Sequence, residues 1–275
     1  MLPTPRAMVL QDISGFGRCS MTIALPVLAA MGCQCCPLPT AYLSTHTAFE
    51  GNTFLDMTGA VAGAAAHWKA MGLTFDGIYS GFLGSERQLE LVFRCISDFQ
   101  GPETVTLVDP VLGDHGKAYR TCTPALCAGM AGLAARAQVI TPNLTEAAIL
   151  LGLAPEVRPS GPAEVESWAA RLSSDGKRQV VITGVSPEPG LTGALCLSPA
   201  GLQWVTAPQV PAQFHGTGDL FASVLLGGLL RQAPLAAATR RAVDFTALCV
   251  RHTMEAATPP KYGVEFEGLL GYLLS

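Results

Sequence analysis

The sequence predicts an α/β protein, three layers deep, with a mostly parallel central sheet and helices on both faces. Three observations carry that expectation. Apolar runs of strand length alternate with helical patterns almost from end to end. Those runs are continuously apolar rather than alternating, which marks strands buried on both faces. The chain has 275 residues, 49% hydrophobic and 14% charged, enough for one large core and too apolar for disorder.

The elements follow in order. Ala7–Gln11 reads as the first buried strand, Ser20–Met31 as a helix, and Cys33–Tyr42 as a second strand or strand pair. Phe54–Met71, rich in alanine, reads as one long helix. Gly77–Ser80 is a short strand, and Ser85–Phe99 a helix that Ser85 can cap. Val105–Val108 is another buried strand, followed by a long loop. Ala125–Ala135 reads as helix, Gln138–Thr141 as strand, and Leu144–Leu151 and Ala163–Leu172 as helices. Val180–Thr183, Gly193–Leu197 and Gln203–Val205 read as strands, the last two forming a hairpin around Ser198–Gly201. Leu220–Leu230, Leu235–Met254 and Phe266–Leu274 close the chain as helices. Pro155, Pro159 and Pro162 mark a surface loop rather than a linker, so residues 1–275 are expected to form a single domain.

Composition excludes several function classes. A formal net charge of −4 offers no basic patch, which argues against nucleic acid. Residues 19–45 carry no charge, but Pro26, Gly32, Gln34, Pro37 and Pro39 interrupt them, which argues against a membrane span. The start of the chain lacks a signal-peptide pattern. Nine cysteines without such a pattern suggest free thiols in a reducing cytoplasm. Cys33, Cys35 and Cys36 lack a second ligand pair and read as small buried hydrophobes.

The most informative stretch is 214–222, Phe-His-Gly-Thr-Gly-Asp-Leu-Phe-Ala. Gly216, Thr217 and Gly218 precede an apolar helix, where free backbone N–H groups and the helix dipole suit a phosphate. Asp219 at the mouth of such a site repels an anion. It makes sense if a proton must leave a hydroxyl that attacks a phosphoryl group. No G-x-x-x-x-G-K-[ST] occurs, and Gly15-Phe16-Gly17 lacks the third glycine of a dinucleotide fingerprint.

Ligands in this fold class sit at the carboxyl ends of the strands, so polar residues there are the other candidates. Asp12 and Ser14 follow the first strand, as hydrogen-bonding groups for a substrate or as turn formers. Ser44-Thr45-His46-Thr47 can bond a small polar ligand or cap a turn. Asp109 and Asp114 suit a hard cation or phosphates, and equally loop chemistry. Asn143 and Glu146 fit a capping box, or a carboxylate turned toward a cation. Thr183 and Gly184 end a later strand.

Taken in order, Gln11-Asp12-Ile13-Ser14-Gly15-Phe16-Gly17, Leu43 to Thr47, Ser80-Gly81-Phe82-Leu83-Gly84, Val108 to Asp114, Thr141 to Glu146 and Gly216 to Ala222 resemble the ribokinase-like superfamily. Within it they resemble the pyridoxal/pyridoxamine kinases of vitamin B6 salvage, across roughly residues 7–255. The resemblance implies a cytoplasmic, homodimeric, lidless ATP-dependent kinase of a B6 vitamer, using Mg²⁺ and, as a further cofactor, a monovalent cation. It implies Asp219 as general base and Gly216–Gly218 as the anion hole. Asp12, Thr47 and Phe82, with Ser14, Thr45 and His46, would surround the pyridine ring. Asp114, Asn143, Thr183 and Gly184 would lie along ATP, and Glu146 with Asp109 would hold Mg²⁺ through water. Many such kinases carry Ser where this chain has Asp12 and Tyr where it has Phe82. An acid at position 12 is similar to the D-x-S-G-G segment of hydroxymethylpyrimidine kinases, the alternative substrate class. A non-catalytic vitamer-binding protein is a further alternative, and a dinucleotide oxidoreductase a more distant one.

Overall fold

The computed structural model describes residues 3–274. Its elements are β1 (Arg6–Ser14), α1 (Met21–Ala30), β2 (Gln34–Leu43), β3 (Phe54–Asp56), α2 (Thr58–Ala70), β4 (Gly77–Ser80), α3 (Glu86–Phe99) and β5 (Val105–Val108). A small hairpin follows, β6 (Gly113–Asp114) and β7 (Lys117–Ala118), then α4 (Pro124–Ala134), β8 (Val139–Ile140), α5 (Leu144–Leu150) and α6 (Pro162–Ser173). The last elements are β9 (Gln179–Val185), β10 (Leu191–Ser198), β11 (Gly201–Pro208), α7 (Thr217–Leu230) and α8 (Leu235–Glu255).

Nine strands form one sheet in the order β11-β10-β9-β8-β5-β4-β1-β2-β3. The six strands from β9 to β2 pair in parallel, and β3, β10 and β11 add antiparallel edges. The pleat of β1 shows why its run is continuously apolar. Ala7 and Val9 join a core with α1, α7 and α8, while Met8 and Leu10 join a core with α2 to α6. The expected three layers are therefore present, with the carboxyl ends of β1, β4, β5 and β8 on one rim.

Four expectations need correction. Phe54–Met71 is not one helix. Phe54–Asp56 pairs antiparallel with Ala41–Leu43, Met57 N–H bonds Thr40 O at 3.0 Å, and Asp56 accepts from Thr58 N–H at 2.7 Å, starting α2 only at Thr58. Pairing with an open sheet edge overrides the alanine-rich helical pattern. Phe266–Leu274 is a 3₁₀ segment, Glu267–Leu273, rather than an α-helix. The β6–β7 hairpin was not foreseen, because two-residue strands are too short to show a period. Its turn carries His115 at φ 50° and Gly116 at φ 79°, the left-handed pair that a tight hairpin needs. Finally, not all the thiols are free: Cys122, just after the hairpin, is disulfide-bonded to Cys127 in α4. The other seven cysteines are unpaired. No helix of the described residues is long and apolar enough to cross a membrane.

Candidate active site

A cavity of about 180 Å³ opens on the rim where the parallel strands end. Its floor is the start of α7. Gly216 precedes that helix at φ 83° and ψ −1°, where an added Cβ would lie 2.2 Å from Arg18 O. Only glycine fits there, in conformation and in space. The first helical bond runs from Leu220 N–H to Gly216 O at 2.9 Å. The amides of Thr217, Gly218 and Asp219 therefore have no intrahelical acceptor, and the positive end of the dipole points into the cavity. At Gly218 an added Cβ would meet nothing within 4 Å.

Asp219 sits half-buried on the wall beside these amides. Burial pushes its carboxyl up to about 7; the Ser20 N–H lowers it, and the charges of Asp109 and Asp12 push it further up. A carboxyl poised there can accept a proton near neutral pH.

Strand ends supply the facing wall. Asp109, at the end of β5, accepts from Thr141 Oγ1 at 3.1 Å, and burial raises its carboxyl above the usual range. Glu146 is 4% exposed. Its Oε2 accepts from Asn143 N–H at 2.8 Å and its Oε1 from Leu112 N–H at 3.2 Å. Burial first, then the charge of Asp109, raises its carboxyl strongly. Asn143 returns the capping bonds to Thr145 and Glu146 N–H and donates to Gly113 O at 2.9 Å, joining α5 to the hairpin. The two readings of Asn143 and Glu146 thus coexist in one pair of side chains. Tyr119, after β7, completes the wall; burial and the charges of Glu146, Asp114, Asp109 and Asp219 all raise its phenol.

Buried acids that repel one another across a cavity favour a cation between them. The donor set fits a hard cation held through water: both Glu146 oxygens and one Asp109 oxygen already accept protein hydrogen bonds. It does not form an all-protein cage, since no group of three His, Cys, Asp or Glu able to hold a metal occurs among the described residues.

Ten of the anticipated residues line this one cavity: Phe82, Asp109, Asp114, Asn143, Glu146, Thr183, Gly216, Thr217, Gly218 and Asp219. Asp12, Ser14, Thr45, His46, Thr47 and Gly184 do not. Asp12 is 4% exposed, with Oδ1 accepting from Ser20 Oγ at 2.6 Å and Oδ2 from Ser14 Oγ at 3.0 Å. His46 bonds Lys261 O through Nε2 at 2.7 Å and accepts from Ala48 N–H at 3.3 Å, its ring 4.6 Å from that of His215. The Thr45 hydroxyl is buried without a partner among the described residues. Gly184 is exposed, at φ 69°.

Sequence reasoning did not single out Ser20 or Tyr119, both on the cavity wall. Ser20 read as an ordinary helix start. Tyr119 depends on the unforeseen hairpin. His215, in the stretch 214–222 that the sequence marks, is also on that wall, without a role assigned to it from sequence. Burial, the nearby His46 and Lys261 lower the pKa of His215, against the charge of Asp114.

The comparisons agree with this geometry. The profile of the phosphomethylpyrimidine kinase family matches residues 25–261. A pyridoxine/pyridoxal/pyridoxamine kinase of Bordetella bronchiseptica is 29% identical over 268 residues, covering 93% of this chain and 92% of its own. A Bacteroides thetaiotaomicron structure described as a phosphomethylpyrimidine kinase, in a crystal form with pyridoxal, is 38% identical with a TM-score of 0.92, over 98% of this chain and 96% of its own. The pyridoxal kinase of Lactobacillus plantarum is 33% identical with a TM-score of 0.90, over 98% and 96%. The chain belongs to the phosphomethylpyrimidine kinase family and is a kinase of the ribokinase-like fold.

Proposed function

We propose that the chain transfers the γ-phosphoryl group of ATP to the 5′-hydroxymethyl oxygen of a B6 vitamer: pyridoxal, pyridoxine or pyridoxamine. The observation that carries this reading is Asp219, a carboxyl raised to about 7 beside the free amides of α7. Asp219 takes the proton of the hydroxymethyl as its oxygen attacks the γ-phosphorus. The new O–P bond forms as the bond from that phosphorus to the β–γ bridging oxygen breaks, and ADP leaves. The amides of Thr217, Gly218 and Asp219 receive the charge that spreads over the phosphoryl oxygens. Asn143, Asp114 and Thr183 lie along the nucleotide side of the cavity, and Phe82 on the vitamer side. Mg²⁺, held through water by Glu146 with Asp109 nearby, would neutralise phosphate charge when bound.

The pyridoxal of the Bacteroides structure and the kinase names of the Bordetella and Lactobacillus proteins support a vitamer over a pyrimidine. This reading carries a cytoplasmic setting, supported by seven unpaired thiols. It also carries a homodimer, by resemblance to the family. Sedimentation velocity tests the dimer, and a monomer at all concentrations rejects it.

ADP release measured with the three vitamers and with hydroxymethylpyrimidine tests the function. The expected result is turnover of at least one vitamer in preference to the pyrimidine. Preference for the pyrimidine moves the chain to the other substrate class, and no release with any of the four rejects the kinase mechanism.

A further inference from the structure

Ser20 precedes α1, where a serine ordinarily adopts extended backbone and accepts a hydrogen bond from the second or third helical N–H. It does neither. Its φ is 50° and ψ −129°, and its side chain makes no capping bond. That conformation belongs to the first central position of a type II′ turn, where glycine is favoured. A serine held there marks a backbone over-determined by its surroundings, and such residues cluster at functional sites.

What holds it is Asp12. The Ser20 hydroxyl donates to Asp12 Oδ1 at 2.6 Å, while Ser14 Oγ donates to Oδ2 at 3.0 Å. Ser20 and Asp12 are 5% and 4% exposed; Ser20 lines the cavity wall and Asp12 lies behind it. Asp219 lines the same wall, and the Ser20 N–H favours the charged form of its carboxylate. With both its oxygens engaged by serines, Asp12 is placed to act through Ser20 rather than on a substrate.

We propose that Ser20 is a positioning residue for the general base, its amide orienting the Asp219 carboxylate and Asp12 anchoring its strained backbone. The proposal deepens the kinase reading and rests on it for its kinetic consequence. It also explains an acid at position 12 without requiring a charged substrate. Asp12 lends its acceptor oxygens to the loop, and the Ser20 N–H offsets the repulsion that its charge imposes on Asp219.

The test is a double-mutant cycle in ADP release with pyridoxal, on the full chain. Ser20→Ala and Asp12→Ala should each lower kcat by roughly 10–100-fold, the scale of a misplaced catalytic group, with KM for pyridoxal within about twofold. The double variant should be no slower than the slower single variant, because both break one link. Asp12→Asn, which keeps an acceptor oxygen, should recover most of the turnover lost in Asp12→Ala. Ser20→Gly keeps the amide and adopts this backbone without strain, so it should fold and retain more turnover than Ser20→Ala; a loss equal to that of Ser20→Ala contradicts a role through backbone conformation. Multiplying losses in the double variant, or a raised KM with kcat retained in Asp12→Ala, overturns the proposal. A crystal structure of Asp12→Ala decides the same point without turnover. Ser20 is expected to leave positive φ and Asp219 to turn; an unchanged Ser20 backbone contradicts the anchoring whatever the enzyme phosphorylates.

Discussion

Asn143 and Glu146 cap one another, and the same glutamate also accepts the N–H of Leu112 from the loop after β5. One buried carboxylate therefore ties the start of α5 to the loop that leads into β6, the strand that bears Asp114, while adding charge to the cavity. Two substitutions separate these roles. Glu146→Ala leaves the Asn143 and Leu112 amides without acceptors and should cost about 1–3 kcal/mol of stability in denaturant melts. Glu146→Gln keeps an acceptor oxygen and removes the charge. It keeps one of the two backbone bonds, so it should lose less stability than Glu146→Ala, while needing several-fold more Mg²⁺ for half-maximal ADP release. An unchanged Mg²⁺ requirement in Glu146→Gln would leave this side chain a purely structural role.

The two glycines of the α7 entrance should behave differently. Gly216 combines φ 83° with backbone 2.2 Å from where a Cβ would lie, so Gly216→Ala forces the loop apart and should lose both stability and turnover. Gly218 has open space at its Cβ, so Gly218→Ala should fold normally. Its methyl would take room beside the anion-binding amides, and kcat should fall without a change in melting temperature. Full activity in Gly218→Ala would show that the phosphoryl group does not approach α7 there.

The raised carboxyl of Asp219 has a consequence for stability. Its ordinary value is 3.8 and its folded value about 7. Between these the native state holds a proton that the unfolded chain releases. The stabilisation is complete below the unfolded value and disappears as pH rises through the folded value. Thermal melts of the ligand-free protein should therefore show a loss of stability between about pH 4 and about pH 8, and Asp219→Asn should reduce that loss. Equal pH slopes in the two proteins would mean that Asp219 ionises as an exposed carboxylate does.

Much of this was legible in the residues. The buried parallel strands show in runs such as Val105–Val108 because both faces of that strand are covered. The glycines and acid that open an apolar helix at 216–219 fit a plain turn as well as an anion site; it is their order with the other strand-end residues that marks the site. What stayed hidden depended on contacts between distant segments. Phe54–Asp56 becomes a strand only because β2 offers it an edge. Ser20 carries positive φ because Asp12, eight residues earlier, holds its hydroxyl. Tyr119 reaches the cavity through a hairpin whose strands are two residues each. The 3₁₀ segment at 267–273 has helical composition, which does not distinguish a three-residue from a four-residue hydrogen-bond spacing.

The most direct measurement is ADP release by Asp219→Asn beside the binding of nucleotide and pyridoxal to the same variant. The variant preserves shape and removes the proton acceptor. Turnover should fall by roughly 10²–10⁴, with both dissociation constants within about threefold of wild type. Turnover near wild type would contradict Asp219 as the base and with it the mechanism built around the start of α7.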